Sequence, residues 1–246
     1  MLLNPTTKAY LRKLGRRFGL EIRPSGVNSR DDLRFIHFIR MHKIDTVIDV
    51  GANRGQFARG LFDLGFEGRI ISIEPLPEAH RALEVSASQF GSRWTVAPRL
   101  ALSDTTDGGT LFVTQSDTAS SLLQPTEALN QATPSTEVVE RIPVETAKLD
   151  DLVAKLNLNQ SRVLLKLDVQ GGEDKVLAGA ANTIHILSGL LIELSFADLY
   201  SNQTSPAEIF NHMTDVGFEL WDLWRGYSNP QTHRLNQIDA LFFRSK

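Results

Sequence analysis

The sequence predicts an α/β protein in which a doubly wound sheet follows a short, basic helical extension. From Thr46 onward, short β-branched runs alternate with amphipathic stretches in a βαβαβ rhythm. The first of those runs empties into a glycine loop, Gly51-Ala52-Asn53-Arg54-Gly55, and Glu74 closes the second run 23 residues after Gly51. At 246 residues, 41% hydrophobic and 22% charged, the chain can bury one large core with a small appendage, divided as residues 1–43 and 44–246.

The elements follow in order. Leu11, Leu14 and Phe18 stand at helical spacing among Lys8, Arg12, Lys13, Arg16, Arg17 and Arg23. Such a helix suits an anionic membrane surface, docking on the acidic body or plain local packing. Leu33, Phe35, Ile36, Phe38, Ile39 and Met41 pattern a second helix. The sheet opens with a strand over Thr46–Val50, then a helix over Gln56–Leu64 that Gly65 ends as a left-handed cap. A strand over Arg69–Ile73, a helix over Pro77–Phe90 begun by its proline, and a strand around Thr95–Ala101 come next. Between Asp104 and Ile142 the pattern weakens to one strand, Thr110–Thr114, and a Ser/Thr/Gln/Pro-rich stretch of the length that is often functional. Beyond it lie a strand at Val144–Ala147, a helix from Asp150, a strand at Val163–Asp168, a helix near Asp174–Ala178 and a strand at Leu190–Ser195. Ser205-Pro206-Ala207-Glu208 spells a capping box that starts a helix to Val216, and Phe218–Leu223 and Ala240–Phe243 close the domain as paired strands.

Charge and composition exclude several functions. Six basic side chains face only Glu21 in the first 24 residues, so the remainder is more acidic than the net charge of −3 suggests. An acidic body lacks the basic surface that nucleic acid requires. With no cysteine, disulfide scaffolds, thiolate zinc sites, iron–sulfur clusters and cysteine nucleophiles are excluded. The Met1-Leu2-Leu3 start has no signal-peptide profile and no run approaches a membrane span, so a soluble, cytoplasmic protein is expected.

The chemistry concentrates at the strand ends. Strand Thr46–Val50 delivers Asp49 and then the glycine loop to the sheet edge where open α/β folds bind ligands. Gly51 admits a ligand close to the backbone and Gly55 allows a tight entry into the next helix. Asn53 stands where a dinucleotide fingerprint wants its second glycine, so a ligand without a pyrophosphate suits the loop better. Glu74 is placed to accept two hydrogen bonds from a ribose diol.

These motifs, together with Ile73-Glu74-Pro75, Ala101-Leu102-Ser103-Asp104, Ser120-Ser121-Leu122, Leu149-Asp150-Asp151-Leu152 and the run from Leu165 to Glu173, resemble the FkbM-type S-adenosylmethionine-dependent methyltransferases. The resemblance spans roughly Thr46 to Glu193. It implies a seven-stranded, Rossmann-like class I methyltransferase domain over 44–246 that O-methylates hydroxyls of sugars, glycolipids or natural products. It also implies that Gly51, Ala52, Asn53 and Gly55 line the methionine part of S-adenosylmethionine, with Gln56 and Phe57 beyond them. Glu74 and Pro75 would hold the ribose, and Leu102 with Ser103 would border the adenine. Asp49 would support the loop and reach the cofactor's amino group. Leu102 fits ordinary core equally well, and Asp104 fits a turn. The family's Asp-Val-Glu-Gly continuation is Asp168-Val169-Gln170-Gly171 here, and Asp174 stands where an aromatic is common.

Methyl transfer to a hydroxyl needs an aligned acceptor and a group to take its proton. Asp168, Glu193 and Glu173 are the candidate catalytic acids, and Asp168 also falls among the cofactor contacts. Such acids could instead hold a divalent metal such as magnesium, but with no histidine at ligand spacing direct base action is the preferred reading, with no metal ligands assigned. The six histidines are scattered. Trp221 suits core packing, whereas Trp224 and Tyr227 suit contact with a carbohydrate-containing acceptor. The alternatives are a nicotinamide-dependent oxidoreductase, disfavoured by Asn53 and the lack of a Tyr-x-x-x-Lys pair, and a non-catalytic cofactor-binding scaffold. The N-terminal helices could pair two chains in a homo-oligomer.

Overall fold

A computed structural model describes residues 4–22, 25–156, 158 and 160–245. The residues up to Met41 form one compact unit and those from His42 onward a second. The first contains α1 (Pro5–Arg17) and α2 (Asp31–Met41). Asn4 caps α1 by accepting the Thr7 amide at 2.8 Å, and Pro5 sits in the first turn, where its missing N–H costs nothing.

The second unit follows as β1 (Thr46–Val50), α3 (Gln56–Asp63), β2 (Arg69–Ile73), α4 (Pro77–Ser88), β3 (Trp94–Val96), β4 (Ala101–Leu102) and β5 (Gly109–Thr114). Then come α5 (Glu127–Ala132), β6 (Val138–Val144), β7 (Thr146–Ala147), α6 (Leu149–Val153), β8 (Val163–Leu167), α7 (Glu173–Ala178), β9 (Leu187–Ser195), α8 (Pro206–Asp215), β10 (Phe218–Arg225) and β11 (Gln237–Arg244). Seven of these strands form one sheet in the order β10-β11-β9-β8-β1-β2-β3. It is parallel except for β11, which runs antiparallel to both neighbours. The chain builds outward from β1 to β3, then returns to lay β8 on the other side of β1. That reversal opens a crevice beyond the C-terminal ends of β1 and β8.

β1 and β8 are buried at every position, which is why they read as continuous apolar runs rather than alternating ones. Ile48, Leu165, Leu190 and Ala240 join one core that crosses the sheet. Ser205 and Glu208 make the reciprocal capping box at the start of α8.

Three expectations need correction. The strand expected around Thr95–Ala101 stops at Val96, because Pro98 cannot donate to a neighbouring ladder. Ala101–Leu102 pairs instead with Thr146–Ala147 in a separate ribbon. The weakly patterned stretch from 104 to 142 contains an antiparallel hairpin of β5 and β6, so the strand expected at Val144–Ala147 is split, Val144 ending β6 and Thr146–Ala147 forming β7. Most of β6 faces solvent, which removes the alternation that would have marked it, and an exposed ribbon tolerates Pro143. Trp221, expected in the core, is 39% exposed and meets His42 and Phe243 edge-on.

Asp150, part of one of the recognisable motifs, has a structural task away from the crevice. Its carboxylate accepts the backbone amides of Asn182 and Thr183, the Thr183 hydroxyl at 2.7 Å and the Asn182 side-chain amide at 2.9 Å. Partial burial opposes ionisation, but these donors together hold the pKa below the ordinary aspartate value of 3.8. A lowered pKa stabilises the fold above the unfolded value and ceases to do so as pH falls through the folded one. Asp150→Ala is therefore expected to lower unfolding free energy by about 1–3 kcal/mol at neutral pH. In urea titrations the gap to the parent should close as pH drops below the aspartate range, and a pH-independent gap would contradict it.

Candidate active site

The crevice is a cavity of about 650 Å³, within the size range of small-molecule sites. Its first wall is the exit of β1. Gly51 has φ +74, and a Cβ there would lie 1.8 Å from the Asp168 carbonyl oxygen, so the two strand ends meet as closely as they do only because this residue is glycine. The amides of Gly51 and Ala52 both donate to the Ile73 carbonyl. Asn53 follows in a left-handed conformation at φ 46 and donates its amide to Glu74 Oε2 at 2.7 Å. Gly55 also has positive φ, but its open side faces Trp94 and Leu83, and it does not line the cavity.

Glu74, at the end of β2, lines the cavity with Pro75, and its other oxygen accepts the Leu76 amide at 2.8 Å. Burial pushes its pKa up to about 7 against the pull of those two amides. Each oxygen keeps a lone pair for a further donor. Ala52, Gln56 and Phe57 complete this end, and Leu100, Ala101, Leu102 and Leu111 give it an apolar side. Ser103 points elsewhere, donating to Asp104 at 3.0 Å.

At the cavity wall, Lys166 is the central charge. Its Nζ lies 3.2 Å from Asp49 Oδ1, 3.3 Å from Asp168 Oδ2 and 5.3 Å from the centre of the Phe57 ring. Burial alone would lower its pKa, yet Asp168 and Asp49 together hold it above the ordinary lysine value. Asp49 is fully buried, so it supports the wall and does not reach the cavity. Burial raises its pKa and Lys166 counters the rise.

The opposite end gathers polar side chains from four strand ends. Gln170, left-handed at φ 59, donates through one amide nitrogen to Asp168 Oδ1 at 2.8 Å and Glu193 Oε2 at 2.9 Å. Its oxygen accepts the Tyr200 hydroxyl at 2.8 Å. Reversing that amide would aim an oxygen at two carboxylates, so the chemistry fixes its orientation. Gln237 donates a second bond to Glu193 Oε2, at 2.7 Å, and Asp239 stands beside Glu193 across the β9–β11 pairing. Burial, then the charges of Asp168, Glu173 and Asp239, raise Glu193 well above the ordinary glutamate value. Burial and Asp168 lift Asp239 to about 6. Trp224 and Tyr227 complete this wall.

Glu173 stands close enough to raise the pKa of Glu193 but is engaged by the turn after β8. Its Oε1 accepts the Val169 and Gly171 amides, tying the turn after β8, and it is not among the cavity-lining residues. Among the described residues no group of three His, Cys, Asp or Glu side chains is arranged to hold a metal ion. Lys166 and the Gln170 amide take the positions on Asp168 and Glu193 that a cation would need.

The segment from Ser116 to Leu123 covers the cavity. Arg54, in the glycine loop, reaches Asp117 at 2.8 Å, and the Ser121 hydroxyl donates to the Gln170 carbonyl at 2.8 Å. Sequence reasoning missed Lys166, Tyr200, Gln237 and Asp239 as site residues. A lysine inside the apolar run Val163–Leu167 was a usable signal, as were two polar residues two apart at the start of β11. Tyr200 carried none.

Residues 49–220 match the family described as Methyltransferase FkbM domain. Over 177 residues the chain is 29% identical to a 2-O-methyltransferase NoeI from Sinorhizobium fredii (strain NBRC 101917 / NGR234), covering 66% of this chain and 69% of that protein. A crystal structure of Methyltransferase FkbM from Methylobacillus flagellatus KT superposes with a TM-score of 0.51 at 17% identity, over 81% of this chain and 43% of that one. This chain therefore spans less than half of that crystallised relative, and the likeness is one of fold. A magnesium protoporphyrin IX methyltransferase from Synechocystis PCC 6803, solved with bound SAM, covers 99% of each chain at 13% identity and a TM-score of 0.44.

Proposed function

Because the chain belongs to the FkbM family of S-adenosylmethionine-dependent methyltransferases, we propose that it methylates a hydroxyl of a carbohydrate-containing or related small molecule. The family match overturns the nicotinamide-dependent alternative. The observation that carries the proposal is the two-ended cavity, with a buried carboxylate at one end and an acid–amide network at the other. The relative named a 2-O-methyltransferase supports a hydroxyl acceptor.

The chain's residues fit the cofactor. Gly51, Ala52 and Asn53 line the cavity and offer loop backbone to an amino-acid tail, and Glu74 has free lone pairs for a vicinal diol. Leu100, Leu102 and Leu111 supply an apolar slot for a flat base. S-adenosylmethionine, when bound, supplies an electrophilic methyl group and leaves as its demethylated form.

The protein must then hold the acceptor hydroxyl and accept its proton. Glu193 is the residue for that step, since Gln170 and Gln237 both bond to Oε2 and leave Oε1 for the acceptor. Its raised pKa moves it towards the range where a general base works best. Asp168, fixed by Lys166 and Gln170, aligns the hydroxyl. Gln170 is a positioning residue: a glutamate in its place would put a third carboxylate against Asp168 and Glu193. Trp224 and Tyr227 offer aromatic surface to a sugar ring.

Two sets of measurements test this. Calorimetry with S-adenosylmethionine should show affinity rising from pH 6 to pH 8, because Glu74 in the empty protein titrates at about 7 and only its ionised form accepts both ribose hydroxyls. Glu74→Gln should bind weakly and without that pH dependence; parent-like affinity in this variant would refute the assignment. Release of S-adenosylhomocysteine is then measured across a panel of monosaccharides, oligosaccharides and glycolipids. On an acceptor that turns over, Glu193→Gln should reduce kcat by about 10²–10⁴. Gln170→Glu should move the rising limb of the pH–rate profile to higher pH, because added negative charge makes Glu193 harder to ionise. An unshifted profile removes Gln170 from this role, and turnover confined to acceptors without carbohydrate overturns the substrate class.

A further inference from the structure

We infer that α1 is a docking helix for an anionic membrane surface. Tyr10, Leu14 and Phe18 are spaced four apart, so they stack along one face of the helix. Tyr10 and Phe18 are 65% and 73% exposed, and Leu14 is exposed as well. At the helix end the amides of Phe18 and Leu20 donate to the Gly15 carbonyl, and Gly19 turns the chain at φ +70. The turn brings Ile22 against Gly15, where even a Cβ would lie 2.9 Å from it. Leu20 and Ile22 are themselves exposed, so they prolong the apolar ridge.

The rest of the helix circumference is cationic. Lys8, Arg12 and Arg16 form one row at four-residue spacing, Lys13 and Arg17 a second, and the first turn holds no acid. Among the described residues none of these five makes an ion pair, unlike Arg30 and Arg34, which pair with Asp32 and Asp31. An aromatic and aliphatic ridge flanked by unpaired lysines and arginines matches a bilayer interface, where the ridge enters the headgroup–acyl boundary and the cations meet anionic lipid. Nucleic acid would satisfy the charges but leave the ridge in water. A second α1 would bring like charges together.

The test is co-sedimentation of the full chain with vesicles of phosphatidylcholine alone, or with about a third phosphatidylglycerol. Binding is expected only to the anionic vesicles and should fade as salt is added. Lys13→Gln with Arg17→Gln should weaken partitioning about 25-fold, about fivefold per charge. Leu14→Ser with Phe18→Ser should abolish binding while all five charges remain, and unchanged melting temperatures will show that both variants are folded. Equal partitioning to both vesicle types, no binding to either, or anionic binding untouched by the ridge variant would each overturn the inference. So would concentration-dependent self-association that the ridge variant removes in a protein that ignores vesicles.

Discussion

The site depends on one buried cation. Lys166, on β8 at the cavity wall, pairs with both Asp49 and Asp168, so one ammonium offsets part of the charge of two acids that adjacent strands deliver side by side. Asp49 is wholly buried, and taking the ammonium away would strand its charge, a situation that typically costs about 3–5 kcal/mol. Asp168, unlike Asp49, also lines the cavity. The same ammonium lies against the Phe57 ring, which ties the first turn of α3 to that wall. One charge thus links the glycine loop, the helix it opens and the strand that carries the acid–amide network.

The two ends of the cavity are kept electrically distinct. At the β2 end, two backbone amides engage Glu74 and burial raises its pKa to about 7, so its ionisation responds to any further donor placed against it. At the other end burial and the charge of Asp168 raise the pKa of both Glu193 and Asp239, and the amides of Gln170 and Gln237 hold Glu193 in place. Amide donors can hold carboxylates in place without neutralising them, which a lysine or a metal would do. Tyr200, held protonated by burial and by the surrounding acids, locks the Gln170 amide in the useful orientation.

The parts legible in the sequence were those with a local physical signature. β1 and β8 announced themselves as unbroken apolar runs because both faces are covered, and the residues that end β1 and β2, Gly51 and Glu74, were legible as strand ends, although the close approach of the Asp168 backbone that requires the glycine was not. The β5–β6 hairpin escaped because its second strand lies mostly in solvent and has no apolar face to repeat. Asp239 left a local trace, standing two residues after Gln237 in the same strand, but its place beside Glu193 comes from the long-range antiparallel return of β11 beside β9. Glu173 carries a second task that its position after the Gly171-Gly172 turn did not reveal, since its Oε1 ties that turn through the Val169 and Gly171 amides.

The covering segment explains why the glycine loop carries an arginine. Arg54 projects from the loop to Asp117, so the element that cradles one end of the cavity is bonded to the element that covers it. The Ser121 hydroxyl makes the matching connection to the Gln170 backbone, and Tyr200 lies 3.0 Å from the Ala119 carbonyl. The cover is therefore anchored to both ends, to the loop through charge and to the acid–amide network through neutral hydrogen bonds. Exposed ion pairs contribute little and are screened by salt, whereas the buried neutral bonds are not. The Arg54 contact is thus the weaker of the two anchors, and the contacts with Gln170 and Tyr200 hold the segment more firmly to the acid–amide network.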